Sequence, residues 1–389
     1  MMGLVTIQSI ADYYGHKNVA FYCDFNEYAD IDEIKKELNG DDISINTYTD
    51  TFIPKTNKIR IPAIRQITNI WNLIFFGKRN KIDMFIVLGG DNLSEYYSKT
   101  GVFSILLRFW LMSFSTRVVL LGQTLGPFEQ SRNRLVVKYL LPKLSVFVRD
   151  KWSADYMKQE FRLDIPQMAD LAFNDLPRQS FIEIESEVLQ KYHLKENKYF
   201  TVVISGLIKD GYYCNDVATY LSRYKEMLIS VLNKLDINLV LLAHTFPPYG
   251  NESEMISELF KMFPNDILDR VVLIKEKILP TRARFVLGNG LFTITGRMHP
   301  AVSTYQMGKP AICFSYSTKY EGVVGRNINR NDLIIEANDN LIWQNGKIVT
   351  LLEEKIDYLI SHYDQIIPEI KSKVLQQKKI VVDTLNNLY

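Results

Sequence analysis

The chain is poor in cysteine. Cys23, Cys214 and Cys313 are widely spaced and form no Cys-x-x-Cys pair, so they build neither a disulfide framework nor a zinc site, and a reducing compartment fits. It also lacks an excess of one charge. Across 389 residues, 46 Lys and Arg stand against 44 Asp and Glu, which excludes a general nucleic-acid binder, because that class needs a marked basic surplus. Long apolar runs are missing. The nearest, residues 102–114, falls short of the roughly 18–20 residues of a spanning helix and is interrupted by Arg108. The first residues, Met1-Met2-Gly3-Leu4, lack the charged start and apolar core of a signal peptide, so the cytoplasm is the expected location. The 5 histidines show no i, i+4 pairing and no neighbouring cysteine, so no metal is expected.

What is present is core-forming material. At 47% hydrophobic, the chain can build two domains of roughly 100–200 residues each. Apolar runs alternate with amphipathic stretches. Strands are expected near 19–23, 43–48, 82–88, 117–121 and 144–148, then at 200–204, 237–243, 270–274, 290–295 and 311–314. Helices are expected at 31–38, 64–76, 131–141, 152–161, 216–235, 351–362 and 366–388, the second of them stopping at Gly77. Such alternation implies parallel sheets with right-handed crossovers. The predicted fold class is α/β, with two Rossmann-like domains facing across a cleft. Residues 1–175 form the first, 176–198 a polar linker and 199–364 the second, and a C-terminal helix at 365–389 packs back onto the first.

Candidate functional residues collect at strand ends, where ligands bind in open α/β sheets. The sequence Gly296-Arg297-Met298-His299-Pro300 joins an apolar strand to a short helix with Pro300 in its first turn. Free N–H groups there suit an anion. The alternatives at this point are that Arg297 caps or salt-bridges and that His299 is a satisfied histidine. Gly89-Gly90-Asp91 ends another strand, and is either a ligand-approach turn or a plain strand-to-helix turn. Arg149-Asp150 reads as a buried salt bridge or a ligand contact, and His244 as a loop histidine or a second acid–base group. Phe103, Leu106, Leu107, Trp110, Leu111 and Phe114 recur at helical spacing. They read as core or, if exposed beside Lys99, Arg108 and Arg117, as a peripheral contact with a membrane.

These blocks resemble the polysaccharide pyruvyltransferase family. The likeness runs from Ile82 through Asp91, Leu120 through Phe128, Val146 through Ser153 and Met168 through Phe173. It is densest from Thr295 to Val302 and from Gly308 to Gly322. It implies a GT-B-like fold and transfer of a pyruvyl group from phosphoenolpyruvate to a sugar, giving a ketal and phosphate, with no cofactor beyond this co-substrate. The acceptor implied is a sugar of a cell-surface polysaccharide or of its lipid-linked precursor, the latter met at the inner face of the membrane. Arg297 and His299 match the Arg-x-His motif associated with the phosphoenolpyruvate site. That substrate carries about three negative charges, so Arg149, Lys209 and Lys319 are further cations expected to help hold it, Lys209 standing where many members carry arginine. His299 is the leading proton-transfer residue, with His244 second. Asp91 and Glu321 are candidate bases or hydroxyl binders, against capping or salt-bridge roles, and Gly89 and Gly90 are secondary candidates. The competing expectations are a GT-B-type glycosyltransferase using a nucleotide sugar, and a non-catalytic relative that binds sugars.

Overall fold

The computed structural model describes residues 1–23, 31–47, 62–96, 101–246 and 250–388. Lys99 and the residues of 48–61 lie outside them. The chain divides into two compact units, Met2–Leu171 with Ile380–Tyr389, and Ala172–Lys379 with Met1.

The first unit opens with helix α1 (Met2–Tyr14), followed by β1 (Ala20–Cys23), α2 (Ile31–Glu37) and β2 (Ser44–Thr47), with β1 and β2 paired in parallel. Then come α3 (Pro62–Arg79), β3 (Met84–Leu88), α4 (Gly101–Met112), β4 (Arg117–Gln123), α5 (Ser131–Leu140), β5 (Ser145–Val148) and α6 (Lys151–Phe161). Strands β3, β4 and β5 form a parallel sheet in that order. Two successive right-handed crossovers put α4 and α5 on the same face of it. Val102 and Leu106 of α4, Val118 and Leu120 of β4, and Val136 and Val137 of α5 share one core. Each buried aliphatic side chain there contributes about 1.5–3 kcal/mol relative to exposure.

Gly77 does not end its helix. α3 continues to Arg79, where Lys78 and Arg79 complement the carbonyl end of the dipole. Lys81 takes the left-handed position (φ 50°), and Ile82 N–H donates to the Gly77 carbonyl at 2.9 Å. The C-cap motif that usually falls to glycine is thus made by a lysine four residues later.

The second unit contains α7 (Ile182–Lys191), β6 (Tyr199–Val203), α8 (Val217–Lys234), β7 (Asn238–Leu242), α9 (Glu252–Lys261), α10 (Asn265–Leu268), β8 (Val271–Ile274), α11 (Pro280–Asn289), β9 (Thr293–Thr295), α12 (Met298–Gln306), β10 (Ala311–Ser315), α13 (Thr318–Tyr320), β11 (Ile334–Glu336), α14 (Asn340–Gln344), α15 (Lys347–Ser361) and, up to Lys379, α16 (Tyr363–Asn386). Its six parallel strands run in the order β11-β10-β9-β6-β7-β8. Counted from β6, this is the 6-5-4-1-2-3 order of a dinucleotide-type Rossmann sheet, and the direction of winding reverses between β6 and β9. The crevice of such a sheet lies outside the carboxyl ends of those two strands, here at Ser205-Gly206 and Gly296-Arg297.

Two segment boundaries differ from expectation. Residues 176–198 are not a free connection. Val188 and Leu194 are buried in the second unit's core beside Tyr199, Val240 and Phe285, so α7 is part of that unit. The last helix does not belong wholly to the first unit either. Tyr363 donates to the Leu291 carbonyl at 2.9 Å, and the helix passes into the first unit only at Ile380, where Arg117 Nη1 donates to the Leu388 carbonyl at 2.9 Å.

Candidate active site

At the switch point of the second unit, three strand ends meet on one carboxylate. Glu252 is the first residue of α9 and is fully buried. Its Oε1 accepts from the Gly206 amide at 2.9 Å after β6, and its Oε2 from the Thr245 amide at 2.9 Å after β7. After β9, the Arg297 guanidinium grips the same Oε1 through Nε at 2.6 Å and Nη2 at 2.5 Å. A charged pair removed from water this way is held by its geometry and its extra donors.

Arg297 is the N-cap of α12, so Met298 and His299 form the open first turn with Pro300, where a missing N–H is harmless. Its own amide donates to Thr295 Oγ1 at 2.9 Å. Burial lowers the Arg297 pKa, but Glu252 foremost, then Tyr316 and Tyr320, outweigh it, so the group is held more firmly cationic than usual. The Gly296 carbonyl accepts from two buried phenols, Tyr213 and Tyr320, each at 2.8 Å. A side chain at position 296 would place Cβ 2.9 Å from Ser205 Cβ and 3.1 Å from the Tyr213 hydroxyl, so only glycine lets β6 and β9 end this close together. His299 is half-buried on the first turn of α12.

Around this centre stand further polar groups. His244 is exposed, two residues past the end of β7. The bulk of the surrounding domain lowers its pKa, opposed by Glu252 and assisted by Arg297, which favours neutral imidazole. Lys319 is buried on α13, its Nζ bonded to the Tyr316 hydroxyl and 5.7 Å from the Tyr320 ring centre. Among the described residues, the buried hydroxyls Thr245 Oγ1 and Ser317 Oγ have no hydrogen-bond partner, leaving two polar atoms at strand ends for a bound molecule. Lys209 lies in the turn Leu207–Asp210 after β6, and its side chain is outside the described residues. Glu321 is half-buried and pairs with Arg326 at 2.6 Å, the salt-bridge alternative for that residue.

The first unit has its own cluster at the ends of β3, β4 and β5. Arg149, expected to contact an anion, is only 1% exposed. Its Nη1 donates to Asp170 Oδ2 at 2.9 Å and its Nε to Thr124 Oγ1 at 2.9 Å. Burial opposes its charge, but Asp170, Asp91 and Asp150 together raise its pKa. Asp150 caps α6, accepting from Ser153 N–H at 2.8 Å, and burial raises its pKa despite that bond. Arg149 is thus held in a buried ion pair, the salt-bridge alternative for that residue. Asp91 contributes charge to this cluster and its carbonyl accepts from Ser94 at 2.6 Å. Gly89 has a packing reason: a Cβ there would sit 2.1 Å from the Gly122 carbonyl oxygen, so β3 and β4 close only over glycine. Gly90 accepts from the Thr124 amide at 2.8 Å.

The sequence reading missed Glu252, Tyr213 and Thr245. Of these, Thr245 had a visible signal, since it follows His244 just past a strand.

The parallel α/β sheets of the two units are GT-B-like, and solved structures share the fold. The UDP-GlcNAc 2-epimerase from Neisseria meningitidis bound to UDP-GlcNAc superposes with TM-score 0.64 at 12% identity, covering 100% of this chain and 96% of its own. The S. aureus MnaA–UDP co-structure gives 0.59 at 13%, covering 95% and 87%. Sucrose-phosphate synthase from Thermosynechococcus elongatus gives 0.59 at 10%, covering 99% and 90%. At these identities the likeness is one of fold. No curated protein matches by sequence. The family model for polysaccharide pyruvyl transferase matches residues 3–318, and the chain belongs to that family. It is thus a transferase of polysaccharide biosynthesis with a sugar acceptor.

Proposed function

We propose that the chain transfers a pyruvyl group from phosphoenolpyruvate to two hydroxyls of a sugar in a cell-surface polysaccharide or its precursor. The observation that carries this reading is Arg297, fixed by Glu252 at the start of α12 and followed by His299. In this reading the guanidinium and the open first turn bind the anionic donor. His299 delivers a proton to the methylene carbon of phosphoenolpyruvate while one sugar hydroxyl attacks the adjacent carbon and passes its own proton to neutral His244, from which solvent returns a proton to His299 after turnover. The carbon–oxygen bond to phosphate then breaks, the second hydroxyl adds to the oxocarbenium carbon, and its proton leaves with the phosphate. One donor and one diol thus yield one ketal and one inorganic phosphate. Lys319 adds positive charge nearby.

The test is phosphate release from phosphoenolpyruvate in the presence of candidate sugars, with Arg297→Ala and His299→Ala alongside. The wild type is expected to bind phosphoenolpyruvate by calorimetry, and each variant to lose about 10²–10⁴-fold in rate, the range for a positioned proton-transfer or charge-stabilising group. Absence of phosphoenolpyruvate binding, together with binding of a uridine-diphosphate sugar, would replace this reading with a nucleotide-sugar transferase. Full activity in both variants would move the site elsewhere.

A further inference from the structure

The outer face of α4 is apolar where a helix covering a sheet is normally polar. Nine of its twelve residues are apolar. Val102, Leu106 and Met112 are buried, with Ile105 and Phe109 packed on the same core, so the inward stripe is complete without the rest. A second stripe, on the flank of the helix, runs through Phe103 and Trp110 to Phe114 just past the helix end, at i, i+7 and i+11. Phe103 is exposed, Trp110 is half-buried, and Phe114 is 72% exposed, with its ring 5.0 Å from that of Trp110. α4 lies between α3 and α5, packing on both. On α3, Trp71 and Phe75 are one turn apart, in ring contact and about half exposed.

Charge is distributed in a matching way. Between residues 62 and 148, 11 Lys and Arg stand against 4 Asp and Glu, a surplus of seven in a chain whose net charge is +2. None of the four acids lies on α3, α4 or α5, and Glu95 is buried. Lys78 and Arg79 are exposed at the end of α3, and Lys143 Nζ stands 5.4 Å over the Trp110 ring. A second copy of the chain seated here would bring the same surplus against itself. A layer of anionic headgroups over hydrocarbon complements both the charge and the aromatic rings.

We propose that the α3–α4–α5 face docks on the surface of an anionic lipid bilayer, with the Phe103–Trp110–Phe114 stripe and the Trp71–Phe75 pair inserted at the headgroup level. No helix among the described residues is long and apolar enough to cross a membrane, so the contact is interfacial. It stands independently of the proposed reaction.

The experiment is flotation of the full chain with phosphatidylcholine vesicles, alone or with about one third phosphatidylglycerol, at low and high salt. Wild type floats with the anionic vesicles at low salt, and its tryptophan emission shifts to the blue as Trp71 and Trp110 leave water. Phe75→Ser with Phe114→Ser, both at exposed positions, cuts the bound fraction by about tenfold or more, and Lys78→Glu with Arg79→Glu does the same. Wild type remaining at the bottom of the gradient overturns the proposal, as does unchanged flotation of folded variants. A wild-type dimer split by Phe114→Ser, with vesicle binding unaffected, would show that a second copy covers this face. If a variant fails to fold, the salt and lipid dependence of wild-type flotation and its emission shift still decide.

Discussion

Arg297 and Glu252 are 45 residues apart in sequence and joined by two contacts of 2.6 and 2.5 Å, with the carboxylate fully buried. The carboxylate locks the end of β9 to that of β6 through Oε1, shared with the Gly206 amide, and to that of β7 through Oε2, which accepts from the Thr245 amide. Glu252→Ala leaves a buried guanidinium and two amides without their acceptor. It is expected to lose about 3–5 kcal/mol of stability in denaturant titration, the cost of breaking a buried pair. In the fraction that folds, displaced Arg297 should lower the transfer rate about 10²-fold, as a 1 Å misplacement does. Glu252→Gln keeps shape and one acceptor oxygen, so it should recover part of the stability and less of the rate. A Glu252→Ala protein as stable and as active as wild type would refute this role.

The carbonyl of Gly296 is held by two phenols at once, Tyr213 and Tyr320, both with pKa driven well above the usual value, chiefly by burial. They stay protonated donors at any working pH. Tyr213→Phe or Tyr320→Phe alone leaves one donor and should cost about 1 kcal/mol. The double variant leaves the carbonyl buried without either, and its loss should exceed the sum of the singles, since residues sharing one partner are not additive. Equal, additive losses in a chemical denaturation cycle would mean that the two hydroxyls act separately.

How much of this was legible in the sequence follows from what each signal depends on. Strands such as β6 and β7 are unbroken apolar runs flanked by polar residues, so burial on both faces of a parallel sheet wrote them plainly. Arg297 stood out because a strand, a glycine and a proline-bearing helix are adjacent in the chain. α11 was not read, because Pro280-Thr281-Arg282-Ala283-Arg284 looks like a polar loop, yet Arg284 is buried and donates to the Ala172 and Asn174 carbonyls. Glu252 was not read either. An acid at a helix start is the ordinary complement to the dipole, and only strand order, which no local pattern encodes, brings three other strand ends onto it. Arg149 shows the converse. Its type and position at a strand end suit an anion site, but whether Asp170 or solvent meets it depends on a contact 21 residues away.

His16 sits between Asp12 and Asp42, 3.0 Å from each. The hydrogen bond to Asp12, then that to Asp42, raises its pKa above 6.5, and the bond from His16 lowers that of Asp42 below 3.8. A raised folded-state pKa gives stability that is fully present below the unfolded value of 6.5 and is lost as pH climbs through the folded one. The lowered Asp42 value gives stability present above 3.8 and lost as pH falls through the folded value. The difference in melting temperature between wild type and His16→Gln should therefore be largest between these two ordinary values and shrink on the alkaline side. An NMR titration of the His16 ring with a midpoint at or below 6.5 would refute the pairing.

Arg149 and Asp170 form the buried pair of the first unit, 2.9 Å apart with side chains almost wholly enclosed. If this cation served the donor, Arg149→Met would raise the KM for phosphoenolpyruvate and leave folding intact. The burial argues for the reverse. Arg149→Met strands Asp170, with Asp150 and Asp91 close by, and should cost about 3–5 kcal/mol. Asp170→Leu strands the guanidinium and should cost a similar amount. Together the two substitutions replace the pair by apolar groups, so their combined cost should fall well below the sum, because the isolated charge is the main penalty in each single variant. Unfolding curves for the three variants give the coupling, and the KM for phosphoenolpyruvate in the folded double variant should stay unchanged. A large rise in that KM with little loss of stability would return Arg149 to the binding site.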